Sequence, residues 1–548
     1  MNTNATILNL KKLISYVDWK LLLFLLLFLN VKFAIKIPAI ALIYCLQFDF
    51  RFGFKLKDSR LPLFYLLIIP VGIIAAVLNK DVSSAHYGLV LSGGIFFWLL
   101  CILAVHQVKL SVERNDPLVI HRTILVFFII NALISSLNLG LIILEIKEVN
   151  PYTYQGQFQK YFIGTGDYIK GLTFDNSTTN AVLNAFGVIY FLKRKNALML
   201  FICMIVLLLT GSNFINLAIL FILGSLFIFS STKDQKSLIT VCLVFLVVFM
   251  AKVSPQNNSY VLETFRYMLH RKKAVEKPQA AAVRITERPD STLNADEKKD
   301  KTATLYLDSI HRVNALTGIR KNIPVPDRSV VVTDAGRINI PSADINSAAY
   351  QSLLSTPPEQ RQLLGFIKSH QTVLPISGKS GQWTPMPGKI ASMLQTVDFF
   401  RHHPGRMVFG EGPGNFSSKL AFRASGLGLT GGYPKKYTYI NPDFLVNHLD
   451  LYLNFFSQRA GLHSLTNSPF SVYDQLLAEY GISGLLIFTV CYLGFFARHY
   501  KILTYGLPIL VLTMAVLFVD YWFEQLSVLV FFELLLFLDI RESTVSNT

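Results

Sequence analysis

Charge is scarce in this chain: Asp, Glu, Lys and Arg make up 16% of 548 residues, against about one-quarter in ordinary soluble domains. That shortage excludes the string of soluble domains that the length alone would allow. Acidic residues are scarcer than basic ones, 34 against 51, for a formal net charge of +17. In a soluble protein such an excess points to nucleic acid, so where it sits decides what it means. Cysteine is also rare. Cys45, Cys101, Cys203, Cys242 and Cys491 all fall within apolar runs and form no C-x-x-C pair, which argues against a disulfide framework and against a zinc site. Internal repeats of the solenoid kind are missing, as is a matched pair of Gly/Pro-broken apolar segments of the transporter kind. No small-residue cleavage pattern follows Lys11, Lys12 and the stretch Leu21 to Leu29, so the first apolar run reads as an uncleaved span.

Hydrophobic residues, by contrast, reach 52%, with 43 Phe and a mean hydropathy of +0.44. They come in runs of about 18 to 25, the length that crosses a hydrocarbon core of about 30 Å. The runs lie near 17–31, 33–50, 61–78, 88–106, 119–144, 178–192, 196–210, 213–230, 237–253, 473–497, 505–520 and 524–540. The expected fold is an all-α polytopic membrane protein of about 12 transmembrane helices with one large, partly disordered, helical external loop. With the N-terminus inside, the short inside connections carry 17 Lys and Arg, among them Arg51, Lys55, Arg60, Lys193, Arg194, Lys195 and Arg541. The short outside ones carry 6, namely Lys32, Lys36, Lys80, Lys147, Lys160 and Lys170. Basic residues are retained on the cytoplasmic side, so both termini are expected there.

The same count divides the chain into helices 1–9 (1–253), an external loop (254–472) and helices 10–12 (473–548). Residues 254–470 hold 26 Lys and Arg against 16 Asp and Glu, a net +10. Segment 271–385 has the composition of a solvated spacer, whereas 388–472, rich in glycine, aromatics and paired basic residues, reads as ordered and membrane-apposed. With the excess located this way, nucleic acid is not an expected partner. Membrane lipids are.

Phe399 to Arg423 hold the densest chemistry. Arg401, His402, His403, Arg406, Lys419 and Arg423 flank a Gly410-x-Gly412-x-Gly414 turn, where the absence of Cβ lets backbone N–H groups approach an oxyanion. Arginine's planar fork suits a pyrophosphate; a turn with solvated charges explains the glycines as well. His402 and His403 are adjacent and diverge in regular structure, so no metal pair is expected. Further on, Leu445, His448, Leu449 and Tyr452 share one helical face, where a histidine is more often packed than basic. Asp474, Gln475 and Glu479 open an otherwise apolar span. An interfacial carboxylate complementing the helix N-terminus is expected for Asp474, and a functional role for Glu479. Tyr154, Phe158, Tyr161 and Phe162 suit stacking on sugar rings or interfacial anchoring.

Pro404, Gly410, Gly412 and Gly414 in a late external loop, followed by Tyr473, Leu476, Leu477, Glu479, Gly481 and Gly484, resemble the O-antigen ligase and O-antigen polymerase superfamily of bacterial envelope glycan enzymes. The Gly171 to Asn180 segment and the Thr210-Gly211-Ser212 turn resemble family positions too. The likeness covers most of the chain outside about 271–385. The family often has His-Asn about nine residues before the glutamate, where this chain has Phe470 and Ser471, and Arg after the Thr-x-Ser turn, where it has Asn213. The family histidine therefore has no positional equivalent, and His448 or His463 is a substitute.

The resemblance implies a multi-pass protein of the bacterial inner membrane with a periplasmic loop. It implies a metal-independent, cofactor-free, inverting transfer of a glycan from an undecaprenyl-pyrophosphate donor to an acceptor hydroxyl on a glycan or lipid. In that scheme His448 and Glu479 are catalytic, and Arg401, His402, His403, Arg406, Gly410, Gly412, Gly414, Lys419, Arg423 and Tyr473 bind pyrophosphate or glycan. Ligase and repeat-unit polymerase remain alternatives. A non-enzymatic polysaccharide or lipid exporter is the alternative of another class, disfavoured by span interiors that read as nearly free of charge.

Overall fold

The structure, a computed structural model, describes residues 16–30, 32–79, 84–153, 169–174, 177–254, 331–332, 338–339, 388–425, 433–448, 451 and 469–546. The 271–385 spacer, apart from its short strand pair, and His463, Leu449, Tyr452, Asp175, Asn176 and the aromatics from Tyr154 to Phe162 lie outside the described residues. The regular secondary structure among the described residues is helical, except for a two-residue antiparallel pair, Val331–Val332 with Ile338–Asn339.

A helix covers each of the twelve apolar runs. In chain order these are α1 (Trp19–Phe28), α2 (Phe33–Leu46), α3 (Phe64–Leu78), α4 (Ala85–Arg114), α5 (Pro117–Ile146), α6 (Ser177–Lys193), α7 (Ala197–Leu209), α8 (Asn213–Phe229) and α9 (Lys233–Val248, prolonged by a π-helical turn Phe249–Val253). After the loop helices α10 (Gly388–His402), α11 (Lys419–Ala424) and α12 (Pro442–Asn447) come α13 (Val472–Ile487), α14 (Gly494–Ala497), α15 (Gly506–Val516), α16 (Trp522–Gln525) and α17 (Ser527–Ser546). Among the described residues, four stretches are long and apolar enough to cross a membrane: Ala85–Arg114, Pro117–Ile146, Lys233–Val253 and Val472–Ala497. Six shorter apolar helices accompany them. The ends follow local chemistry. Asp116 caps α5 by accepting the Leu118 N–H at 2.8 Å, with Pro117 at the first helical position. Thr232 and Gln235 form a reciprocal capping box at the start of α9.

The chain forms two compact units, Met1–Pro70 with Ile95–Phe265 and Leu486–Thr548, and Val71–Gly94 with Arg266–Leu485. In the first unit α6 and most of α17 are buried all round, as all-apolar helices are when other helices enclose them. Phe64, Tyr65, Trp98, Phe488, Tyr492 and Phe523 pack ring against ring in that core. Its interior, expected to be nearly free of charge, holds ionisable side chains. Glu533 is fully buried and accepts the Tyr65 and Tyr492 hydroxyls at 2.7 and 2.9 Å, while Asp539 accepts from the Thr504 hydroxyl at 2.6 Å. Lys36, assigned to an outside connection, is instead buried within α2, with its ammonium 5.3 Å from the Phe28 ring centre.

The Gly171 region is held by asparagines. Asn180 accepts from Asn131 at 3.0 Å and donates to Ser135 and to the Ile169 carbonyl. A Cβ on Gly171 would stand 2.3 Å from the Asn131 amide oxygen, so this glycine serves close packing. The Thr210-Gly211-Ser212 turn joins α7 to α8 with Gly211 at φ 65°.

Candidate functional site

The site grows from one broken helix in the second unit. Gly481, inside α13, has φ 65° and ψ −165°, a conformation essentially confined to glycine. The break frees backbone groups on both sides, and the glycine-rich turn takes them up. The N–H groups of Glu411 and Gly412 donate to the carbonyls of Ala478 and Glu479, both at 2.9 Å. Beyond the break, the N–H groups of Ile482 and Ser483 donate to the carbonyls of Met407 and Val408, both at 3.0 Å. Backbone lies directly on backbone here. A Cβ on Gly410 would stand 2.5 Å from the Glu479 carbonyl carbon, and one on Gly481 would stand 2.5 Å from the Val408 oxygen.

The same turn closes around the Glu479 carboxylate, which accepts the Gly414 N–H at 2.8 Å and the Phe416 N–H at 3.2 Å. With Gly410 donating to the Arg406 carbonyl and Asn415 to the Gly412 carbonyl, every backbone N–H from Gly410 to Phe416 has an acceptor within the protein. The reading of Gly410, Gly412 and Gly414 as a pyrophosphate cradle is corrected on this ground. The anion the turn encloses is the chain's own Glu479, and the glycines are spent on docking the turn into the break.

One turn earlier on α13, Asp474 is buried and accepts three hydroxyls: Ser392, Thr396 at 2.7 Å and Ser417 at 2.8 Å. It is thus a buried hub in the first turn of α13 that ties α10, the glycine turn and α13 together. Thr396 also lies 3.5 Å from His448 Nε2, whose Nδ1 is 3.1 Å from the Gln395 amide oxygen. The His448 ring meets the Phe416 ring edge-on at 4.2 Å between centres. Burial pushes the His448 pKa down to about 3, so the ring is neutral at pH 7. Of the face expected to run from Leu445 to Tyr452, α12 covers the start and ends at Asn447 with His448 as its cap, while Leu449 and Tyr452 lie outside the described residues. A wholly enclosed imidazole meets no acceptor hydroxyl in this conformation, which also corrects its reading as the directly acting base.

Arg406 pairs with Glu411 at 2.7 Å and with Asp443. Partial burial works against its charge, but the two carboxylates outweigh it and hold its pKa above the ordinary value. Its guanidinium side chain keeps 32% of its exposure and Asp443 keeps 28%, whereas Glu411 keeps 1%. Arg401, His402 and His403 are exposed at the C-terminal end of α10. His402 and His403 turn a ring nitrogen to the carbonyls of Asp398 and Phe399, and His403 stacks on the Phe399 ring at 4.5 Å. Lys419 and Arg423 are half-buried on α11, where the Arg423 carbonyl accepts the Tyr433 N–H. Tyr473 is half-buried in the first turn of α13.

The structure therefore gathers Arg406, the glycine turn, His448 and Glu479 into one connected network and leaves Arg401, His402 and His403 on the surface. Ser392, Gln395, Thr396, Ser417, Glu411 and Asp443 belong to the network and were not singled out from the sequence. The signal for three of them was there: Ser392, Gln395 and Thr396 stand at i, i+3 and i+4, one face of a helix. Among the described residues no group of three His, Cys, Asp or Glu side chains is arranged to hold a metal. No family model, curated protein or solved structure matches the chain.

Proposed function

We propose that the protein is a polytopic glycosyltransferase of the bacterial inner membrane, O-antigen ligase-like, with twelve spans, both termini cytoplasmic and residues 254–472 in the periplasm. The observation that carries the reading is the docking of a turn bearing Arg406 and Glu411 into the break of a helix apolar and long enough to span. It brings an arginine and two carboxylates to that break, which in this reading lies at the outer level of the bilayer. A lipid-linked pyrophosphate presents itself at that level. In this reading the exposed cations Arg401, His402 and His403, with Arg406, meet the donor pyrophosphate and offset the charge that develops as it leaves.

An anion arriving at Arg406 competes with Asp443 for the guanidinium, and the released Asp443 carboxylate takes the proton of the acceptor hydroxyl. The acceptor oxygen bonds to the reducing-end carbon as its bond to pyrophosphate breaks. His448, Asp474 and Glu479 act by holding the turn. The test is transfer from a lipid-linked donor in proteoliposomes, where Arg406→Ala is expected to lower turnover by about 100-fold or more while Arg423→Ala changes it little. Equal, small effects of both would overturn the assignment. Supplying a core-lipid acceptor or a second lipid-linked repeat unit separates ligase from polymerase. Buried Glu533 favours a second reading, an exporter, which predicts unmodified donor on the far side of the vesicle.

A further inference from the structure

Helix α10 is amphipathic the wrong way round for a helix in water. Its inward face is polar in the middle turns, with Ser392, Gln395 and Thr396 buried against Asp474 and His448, and turns apolar at Phe399 and Phe400. Its outward face carries Ile390, Leu394 and Val397, exposed at 41, 36 and 37%, at the i, i+4, i+7 spacing of a single stripe. The depth of this helix follows from its partner. The stretch Val472–Ala497 has 26 residues, more than the about 20 that carry a helix across a hydrocarbon core of about 30 Å. The excess leaves the first turns, and Asp474 in them, at headgroup level, and α10 is bonded to Asp474 through Ser392 and Thr396.

We infer that α10 is an interfacial helix whose Ile390, Leu394 and Val397 stripe rests in the acyl–headgroup boundary of the phospholipid bilayer. Its C-terminal Arg401 lies at the level of the lipid phosphates. An apolar face in lipid with a cation at the helix end is the pattern of helices that lie in the membrane plane, and here it lets the polar face serve the network above. The inference rests on the membrane part of the proposed function and not on its chemistry.

The experiment uses the full chain in phospholipid vesicles, with Cys45 and Cys491, the two cysteines that are not buried, changed to alanine. A nitroxide label is placed in turn by Leu394→Cys, Val397→Cys and His402→Cys. Labels at 394 and 397 are expected to collide several-fold more with oxygen, which concentrates in lipid, than with a water-soluble nickel chelate, and the label at 402 is expected to reverse that order. Preferential collision with the chelate at all three positions would overturn the inference, whether or not the vesicles transfer glycan. A change of accessibility through misfolding is excluded by requiring each labelled variant to elute as the unlabelled protein does.

Discussion

His448 is wholly enclosed, and that enclosure lowers its pKa from 6.5 to about 3. The unfolded chain takes up a proton near pH 6.5 while the folded ring stays neutral. Below that pH the unfolded state therefore binds more protons, and folding weakens from 6.5 down to about 3; above 6.5 this group changes nothing. At a pH of about 5 the loss amounts to about 2 kcal/mol. His448→Gln is expected to shrink the difference between unfolding midpoints measured in detergent at pH about 7.5 and about 5. An undiminished difference would place the pH dependence elsewhere. What sequence could say of this residue was that it occupies an ordered, aromatic-rich stretch. What it could not say was which side chains meet it, because Gln395 and Thr396 lie 53 and 52 residues away on a helix whose polar face reads, by itself, as the solvated one.

At the scale of elements, helices were legible over every apolar run, since a run of that length and hydrophobicity has few other solutions. The break in α13 was not. Gly481 stands in an apolar stretch that reads as one continuous span, and only its φ of 65° and ψ of −165° reveal the interruption. The glycine turn was legible as a turn, but its purpose was read as binding an outside anion when its N–H groups in fact pair with Ala478, Glu479 and one another. Gly481→Ala forces a Cβ to within 2.5 Å of the Val408 oxygen at a backbone angle that disfavours any side chain. Its expected cost is about 3 kcal/mol, seen as a lower unfolding midpoint and faster proteolysis between 404 and 425. Gly410→Ala acts on the same junction, so the double variant is expected to fall short of the sum of the two; strict additivity would show that the two glycines do not share one contact.

At the scale of the whole molecule, charge placement predicts the topology, and reporter fusions check it. A periplasm-dependent phosphatase is expected to be active when fused near residue 300 and inactive when fused after Arg194 or Arg541, and the opposite pattern would invert the proposed orientation. The positive-inside argument misplaced Lys36 because a single lysine in a run of Ile, Ala and Phe reads equally as a connection and as a buried cation. The second unit is assembled from Val71–Gly94 and a segment that begins at Arg266, and the Asn79 amide reaches the Gly410 carbonyl at 3.0 Å across 331 residues of chain. The Glu411 and Gly412 N–H groups then wait in turn for their partners at 478 and 479. At about 5 to 20 residues per second, the ribosome takes roughly 15 to 65 s to pass from Asn79 to Gly410. During that interval the early segment is without its partner, so this unit matures late, timed by the synthesis of α13.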